Sequence, residues 1–348
     1  MKKPKYDVAV IGVGVVGIEM LRVLRQRNFP VGELCVFARS ARDIEVDGER
    51  YSVKAVSPGG FDGIDIALFA GTEGEKGAAV TYAQEAIKRG AIVIDNGADF
   101  RMDPKVPLVV PEVNAKDVKK HKGIIANPNC STIQMVVALW PIYKKAGIKR
   151  VVVTTLQAAS GAGRGAVEQL WNELDSIVAR HRAQGTGQVS VDSGLNAKER
   201  VMPQQLAFNV FPHIGSFGES DYTTEEWKLV RETHKIMHDD KIKISATTVR
   251  VPVRTGHSES VYIETEKPLE VNKARDILSK APGIIVIDDP KNNLYPMPKD
   301  VEGKDEVFIG RIRKDPFVKN GLWLWVVADN LRKGAATNAI QIAEELIR

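Results

Sequence analysis

Short apolar runs recur through the first third of the chain, each closed by glycine or a small polar residue. Tyr6-Asp7-Val8-Ala9-Val10-Ile11, Leu34 to Ala38, Asp65 to Ala70, Ala91 to Asn96 and Gly123 to Ala126 have the length and continuity of strands covered on both faces. Between them the apolar spacing turns helical, through Met20, Leu21, Val23 and Leu24, and again from about Gly77 to Arg89, where Gly90 stands in C-cap position. The turn after the third run is Gly71-Thr72-Glu73-Gly74. This alternation predicts an α/β N-terminal domain with a doubly wound parallel sheet, in which ligands collect at the carboxyl ends of the strands.

After Arg150 the pattern changes. Val151 to Gln157 is a β-branched strand, and a helix is expected from about Ala166 to Arg182. An irregular stretch from Gln184 to Gly218 follows, of the length that serves sites or interfaces. A helix opens at Thr223 or Thr224 as N-cap. Ile244 to Val253, Val261 to Glu266 (alternating, hence half-buried), Val307 to Arg313 and Gly321 to Val327 read as strands, with a helix from Val271 to Ser279 inserted. The expectation is an α+β C-terminal domain with a mixed or antiparallel sheet and helices on one face. A last helix runs to Arg348, and its Gly334-Ala335-Ala336 start implies very close packing.

Composition narrows the function classes. The chain has 348 residues, room for two domains, and its apolar and charged fractions are those of ordinary globular proteins. A net charge of +5, spread without a basic stripe, does not imply nucleic acid and suits an anionic small molecule as well as anything. Cys35 and Cys130 are the only cysteines, too few for a disulfide framework, and no His/Cys pair has zinc-ligand spacing, so no metal is expected. No apolar run reaches the roughly 20 residues of a membrane span, and Met1-Lys2-Lys3-Pro4 enters a strand with no signal-peptide core. A cytoplasmic protein without a membrane partner is expected.

Four places carry chemistry. Gly12-Val13-Gly14-Val15-Val16-Gly17 is G-x-G-x-x-G between a strand and a helix, where glycines let backbone approach a pyrophosphate at a helix N-terminus. The following strand ends in Arg39-Ser40, with Arg42 close by, where an NAD site would carry an acid; a cation there suits the 2′-phosphate of NADP, and the alternative, a solvated arginine on a loop, fits Arg42 better than Arg39. Cys130 follows Asn127-Pro128-Asn129 and precedes a helix-like run from Ile133 to Trp140, so the helix dipole favours its thiolate. A nucleophile and a buried structural cysteine stand level there; Cys35, mid-strand, reads as core. His257 follows a strand and a glycine, either facing a cleft as an acid/base or solvated on a loop. Arg101, just past a strand end, is an anion clamp or a surface arginine, and Glu225 and Lys228, three apart, read by default as an exposed ion pair. Cysteine, histidine and a nicotinamide cofactor together suit thiolate attack on an aldehyde, hydride transfer, and release of the thioester to phosphate.

The blocks Asn127 to Thr132, Gln157-Ala158-Ala159-Ser160-Gly161-Ala162-Gly163, Asn209-Val210-Phe211-Pro212-His213-Ile214-Gly215 and Arg250 to Ser258 resemble, in order and over nearly the whole chain, the signatures of aspartate-semialdehyde dehydrogenases. The resemblance implies a Rossmann-type cofactor domain over 1–130, completed by 329–348, and a catalytic and dimerisation domain over 131–328. It implies NADPH-dependent reductive dephosphorylation of β-aspartyl phosphate to aspartate-semialdehyde, towards lysine, threonine and methionine, in a homodimer with inorganic phosphate as co-product. Carried over by resemblance, Cys130 is the acyl-thioester nucleophile, His257 the acid/base, and Gln157 orients the intermediate. Asn129 and Arg250 hold substrate, Arg250 clamping its carboxylate; Glu225 takes its amine, and Arg101 and Lys228 the phosphate. Gly12 to Gly17, Arg39, Ser40, Ser160, Gly161 and Asn330 match cofactor positions.

Two departures are visible. The family often has G-A-T-G or G-x-T-G in the first loop, so a threonine contact to the phosphates is lost at Gly12-Val13-Gly14, and Gly97 stands where serine often follows Asn96. N-acetyl-γ-glutamyl-phosphate reductase, the nearest rival, usually has P-G-C-Y-P-T around its cysteine and has no amine needing an acid such as Glu225. Glyceraldehyde-3-phosphate dehydrogenase would carry an acid at Arg39. A non-catalytic NADP-binding regulator would leave Cys130 and His257 dispensable.

Overall fold

A computed structural model describes residues 3–71, 77–184, 191–194 and 200–348. Most of the turn expected after Gly71, and part of the irregular stretch after Gln184, lie outside the described residues.

The first sheet contains β1 (Tyr6–Ile11), β2 (Val31–Ala38), β3 (Arg42–Val46), β4 (Glu49–Ala55), β5 (Ile66–Phe69), β6 (Ile92–Asp95) and β7 (Ile124–Ala126), in the order β3-β4-β2-β1-β5-β6-β7. Only β3–β4 is antiparallel; every other pair is parallel. Alternate residues sort to opposite faces. Ala9, Ile11, Ala67, Phe69 and Val93 join one apolar cluster, and Val8, Val10, Ile66, Leu68 and Ile94 the other. The inner strands are therefore nearly continuous apolar runs, because both faces are covered.

The hairpin β3–β4 was not expected. Its residues alternate with charge, so it lacks the apolar continuity of the inner strands, and Arg42 opens β3 instead of lying in a loop. Its turn, Asp47 and Gly48, has φ +51° and +81°, the left-handed pair that Asp-Gly supplies.

Helices α1 (Val15–Gln26), α2 (Ala78–Lys88) and the short α3 (Pro111–Asn114) belong to the same half of the molecule. Helix α4 (Cys130–Ala146) then joins the two sheets. It is buried almost all round, from Ile133 through Leu139 to Ile142, and is longer than its apolar run because Asn129 caps one end and Gly147, at φ +67°, ends the other.

The second sheet holds β8 (Ile148–Gln157), β9 (Lys243–Arg250), β10 (His257–Thr265), β11 (Ile284–Val286), β12 (Val307–Lys314) and β13 (Gly321–Ala328), ordered β11-β12-β13-β10-β8-β9. It is mixed: β8–β9 and β11–β12 are parallel, the rest antiparallel. Helix α5 (Arg164–Gln184) follows β8; α6 (Thr224–Met237) lies beside β9, and α7 (Val271–Ser279) beside β11 and β12. The short α8 (Pro298–Val301) precedes β12. The capping box of Thr223 and Glu226 fixes where α6 begins. β10 is more deeply covered than its alternation implied, with Ser258 and Tyr262 buried as well as Val261 and Ile263.

Register decides the function of this sheet. Gln157 pairs with Arg250 as β8 and β9 end, and antiparallel β10 begins there with His257. Three candidate side chains thus share one edge. After β13 the chain passes through a π-helical turn, Arg332–Ala336, into α9 (Thr337–Ile347), whose Ala339, Ile340, Ile342 and Ala343 pack into the first sheet's second cluster. Lys333, wholly buried, secures that return by bonding Glu112 at 2.7 Å, Gln341 at 2.6 Å and Asn338 at 3.0 Å.

Candidate active site

Cys130 is the first residue of α4, and the Asn129 side chain caps the helix by accepting from the N–H groups of Ser131 (3.0 Å) and Thr132 (3.2 Å). The cap amide points the other way and donates to Glu225 Oε1 at 2.8 Å. Cys130 keeps partial exposure to a cavity of about 1010 Å³. Burial nevertheless pushes its thiol up to about 12, and the Glu225 carboxylate adds to the rise, against the pull of Arg101, Lys228 and Arg250. The expected thiolate is therefore corrected to a thiol at neutral pH. The helix N-terminus favours the anion, but the sulfur's loss of water outweighs it.

Glu225 is the hub of the polar cluster. It is buried, Gln157 donates to its Oε1 at 3.2 Å, and Lys228 lies 3.3 Å from its Oε2. Burial works to raise this carboxyl, yet Lys228, Asn129 and Gln157 together hold it below the usual carboxylate range. The pair read as exposed is thus an ion pair turned inwards. Arg250, also buried, donates from Nη1 to the Ala158 carbonyl at 2.5 Å, and burial lowers its pKa. Arg101 is 5% exposed, far from a surface arginine. Its Nε and Nη2 donate to the carbonyls of Asn127 and Asn96, each at 2.9 Å.

His257 lies in a strand and not in a turn, and its ring is fully buried. Its Nδ1 accepts the Ala158 N–H at 3.1 Å, which leaves the ring proton on Nε2. Burial, with Arg250 nearby, drops its pKa well below the ordinary histidine value, and a second proton on Nδ1 would face a donor. Nε2 has no hydrogen-bond partner among the described residues. Gly161, which lines the cavity, lies over it: a Cβ there would fall 3.0 Å from Nε2.

The same cavity runs along the glycine loop, lined by Gly12, Gly14, Val15, Val16 and Gly17. A Cβ on Gly17 would meet the Gly12 carbonyl oxygen at 1.8 Å, whereas one on Gly14 would meet nothing within 4 Å. Gly17 thus closes the turn and Gly14 leaves backbone open to the cavity, a cradle that fits a dinucleotide pyrophosphate. Val13 packs against the apolar cluster instead of the cavity. Arg39 and Ser40 lie exposed at the end of β2, outside the cavity lining. Ser160 and Asn330 are joined at 2.9 Å, and Asn330 also accepts the Gly256 N–H at 2.9 Å, beside His257. Cys35, read as core, is only partly buried, with Sγ 3.4 Å from Glu33.

Several contributors were not foreseen. Glu232 accepts from the Asn129 N–H and from Arg101; the spacing Glu225, Lys228, Glu232, Lys235 along one helix face was its available signal. Ala158 acts through its backbone alone, which no residue type announces. Gly334 lies against Cys130, with its notional Cβ 2.9 Å from the cysteine Cβ, which is the close packing implied by Gly334-Ala335-Ala336.

Known proteins agree with this geometry. Residues 7–121 match the family model described as semialdehyde dehydrogenase, NAD binding domain, and residues 139–333 match semialdehyde dehydrogenase, dimerisation domain. An aspartate-semialdehyde dehydrogenase of Aquifex aeolicus is 55% identical, covering 99% of this chain and 98% of its own. The Bacillus subtilis enzyme is 48% identical over 97% and 96%. A crystal structure of aspartate semialdehyde dehydrogenase II from Vibrio cholerae, complexed with ASA, superposes with a TM-score of 0.88 at 41% identity, over 99% of both chains. With a dinucleotide cradle and a helix-capped cysteine in one cavity, and relatives matching end to end, this chain belongs to the aspartate-semialdehyde dehydrogenase family.

Proposed function

We propose that the protein reduces L-aspartyl-4-phosphate to L-aspartate-4-semialdehyde with NADPH, through an acyl-thioester on Cys130, and so serves lysine, threonine and methionine synthesis. The observation that carries this reading is the shared cavity: Cys130, Gln157, Glu225, Lys228, Arg101 and Arg250 line it together with the glycine loop. The family membership supplies the reaction class.

In the forward direction the Cys130 sulfur attacks the acyl carbon. The C–S bond forms, the C–O bond to phosphate breaks, and the thiol proton leaves with the phosphate. Arg101 and Lys228 receive that phosphate, the Arg250 guanidinium holds the α-carboxylate in a planar grip, and Glu225, kept ionised by Lys228, takes the ammonium. Asn129 and Gln157, both bonded to Glu225, keep it in place and flank the acyl group. NADPH, when bound, supplies the hydride that reduces the thioester carbon. His257 then offers its Nε2–H to the oxygen that becomes anionic, as a neutral donor. The carbonyl reforms, the C–S bond breaks and the sulfur recovers a proton.

The glycine loop, Ser160, Gly161 and Asn330 would hold the cofactor, with Arg39 and Ser40 meeting its 2′-phosphate. In this reading the chain divides into a cofactor domain, 1–130 with 329–348, and a catalytic domain, 131–328, that pairs two subunits in the cytoplasm.

The test is a panel in the oxidative direction with phosphate: aspartate-semialdehyde, N-acetylglutamate semialdehyde and glyceraldehyde-3-phosphate, each with NADP⁺ and NAD⁺. Turnover is expected with the first aldehyde and NADP⁺. Preference for the acetylated aldehyde would remove Glu225 from its role, and preference for NAD⁺ would remove Arg39.

A further inference from the structure

One face of α6 carries Glu225, Lys228, Glu232 and Lys235, and the third of these has no part in the reaction as proposed. Glu232 is 1% exposed, and its two oxygens serve different pieces of the site. Oε2 accepts the backbone N–H of Asn129 at 2.7 Å, one residue before Cys130. Oε1 accepts from Nη1 of Arg101 at 3.1 Å, inside a salt bridge whose partners are both buried. Further along the helix, Lys235 gathers the carbonyls of Arg101, Asp103 and Val106 at 2.6, 2.7 and 2.8 Å, so the arginine's loop is tied to the same helix by its backbone as well.

We propose that Glu232 is a positioning residue: one carboxylate that sets the separation between Arg101 and the backbone presenting Cys130, so that a phosphate on Arg101 stands in line with the acyl carbon on the sulfur. The proposal rests on the reading of the site as one that exchanges phosphate with a thioester. A carboxylate is required because both partners are donors and the side chain must accept at each oxygen. A glutamine has one acceptor oxygen, and its amide N–H2 would face either the Asn129 N–H or the arginine, so only one contact survives. Removing one partner of a buried charged pair also leaves the other uncompensated.

The experiment is steady-state kinetics of Glu232→Gln in the phosphate-dependent oxidation, with wild type first and with Arg101→Gln as second background. The expected result is a KM for phosphate raised about tenfold and kcat lowered about tenfold, with the KM for the aldehyde within about twofold of wild type. In the Arg101→Gln background, Glu232→Gln should cost less than about twofold more, because the two act as one unit. An unchanged phosphate KM, or full additivity of the two substitutions, overturns the proposal. Should the glutamine variant fail to fold, Glu232→Asp, which keeps the charge but withdraws it by one methylene, is read by the same criteria. No wild-type turnover with any aldehyde would sink the underlying reading; normal wild-type turnover with an indifferent Glu232→Gln would sink only the proposal.

Discussion

The backbone N–H of Ala158 donates to Nδ1 of His257 at 3.1 Å, while the carbonyl of the same residue receives Arg250. The backbone of one residue, just past the end of β8, therefore fixes the tautomer of one side chain and the direction of another. The proton of a neutral His257 must sit on Nε2, and a second proton on Nδ1 would confront a donor. A ¹⁵N-detected imidazole spectrum should show the Nε2–H tautomer unchanged from pH 8 to below the ordinary histidine range. Titration to imidazolium near pH 6.5 would remove the locked-donor reading. His257→Gln should lower kcat by about 10²–10⁴-fold.

The raised pKa of Cys130 makes a different pH prediction. Its alkylation by iodoacetamide, followed on the Cys130 peptide to separate it from Cys35, should climb about tenfold per pH unit from 7 to 10, because the thiolate stays a minor species throughout. A plateau near pH 8 would mean that the helix terminus outweighs burial. The sign for stability follows. The unfolded chain loses this proton near pH ~8.5 and the folded chain only near 12, so the native state holds more protons between those values and loses stability as pH rises through them.

Gly334→Ala places a methyl 2.9 Å from the Cβ of Cys130. Since the cysteine opens α4, it is the proposed nucleophile itself that must give way. The substitution should cost about 1–3 kcal/mol of stability by overpacking and at least about tenfold in kcat, since small displacements of a nucleophile are expensive. Full activity would mean that the turn shifts without disturbing the sulfur.

Lys333→Met should destabilise the fold by about 3–5 kcal/mol in urea, because it strands Glu112 in the seam where the chain returns to the first sheet. Burial works to raise the Glu112 carboxyl, but Lys333 holds it below the usual range. The contribution of this carboxylate is thus complete above the ordinary glutamate pKa and is lost as pH falls through the depressed one. A loss under about 1 kcal/mol would show that the cluster is not what secures the C-terminal segment.

The inner parallel strands were legible because burial on both faces makes each an uninterrupted apolar run, as in Val8 to Ile11. The hairpin of β3 and β4 was missed because charged residues outnumber apolar ones there, although Asp47-Gly48 announced the turn. In the site, Cys130 was readable from its place before a helix, and the glycine loop from its place between strand and helix; Asn129 entered through the family resemblance, and its cap on α4 was not read. Two properties were not readable. The thiol's high pKa and the depth of His257 depend on how much protein closes around them, a sum over elements far apart in the chain. The roles of Ala158 and Glu232 depend on register: a backbone group acts where β8 happens to end, and a carboxylate acts because α6 is turned with that face towards the cysteine loop.

The most direct measurement is a rapid-mixing experiment with aspartate-semialdehyde and NADP⁺ in the absence of phosphate, beside a Cys130→Ala control. A thioester that waits for phosphate predicts a burst of NADPH close to one per subunit, a slow phase after it, and fast turnover once phosphate is added, with none of these in the control. Steady turnover with no burst and no need of phosphate, or activity surviving in Cys130→Ala, would contradict a reaction that passes through the sulfur of Cys130.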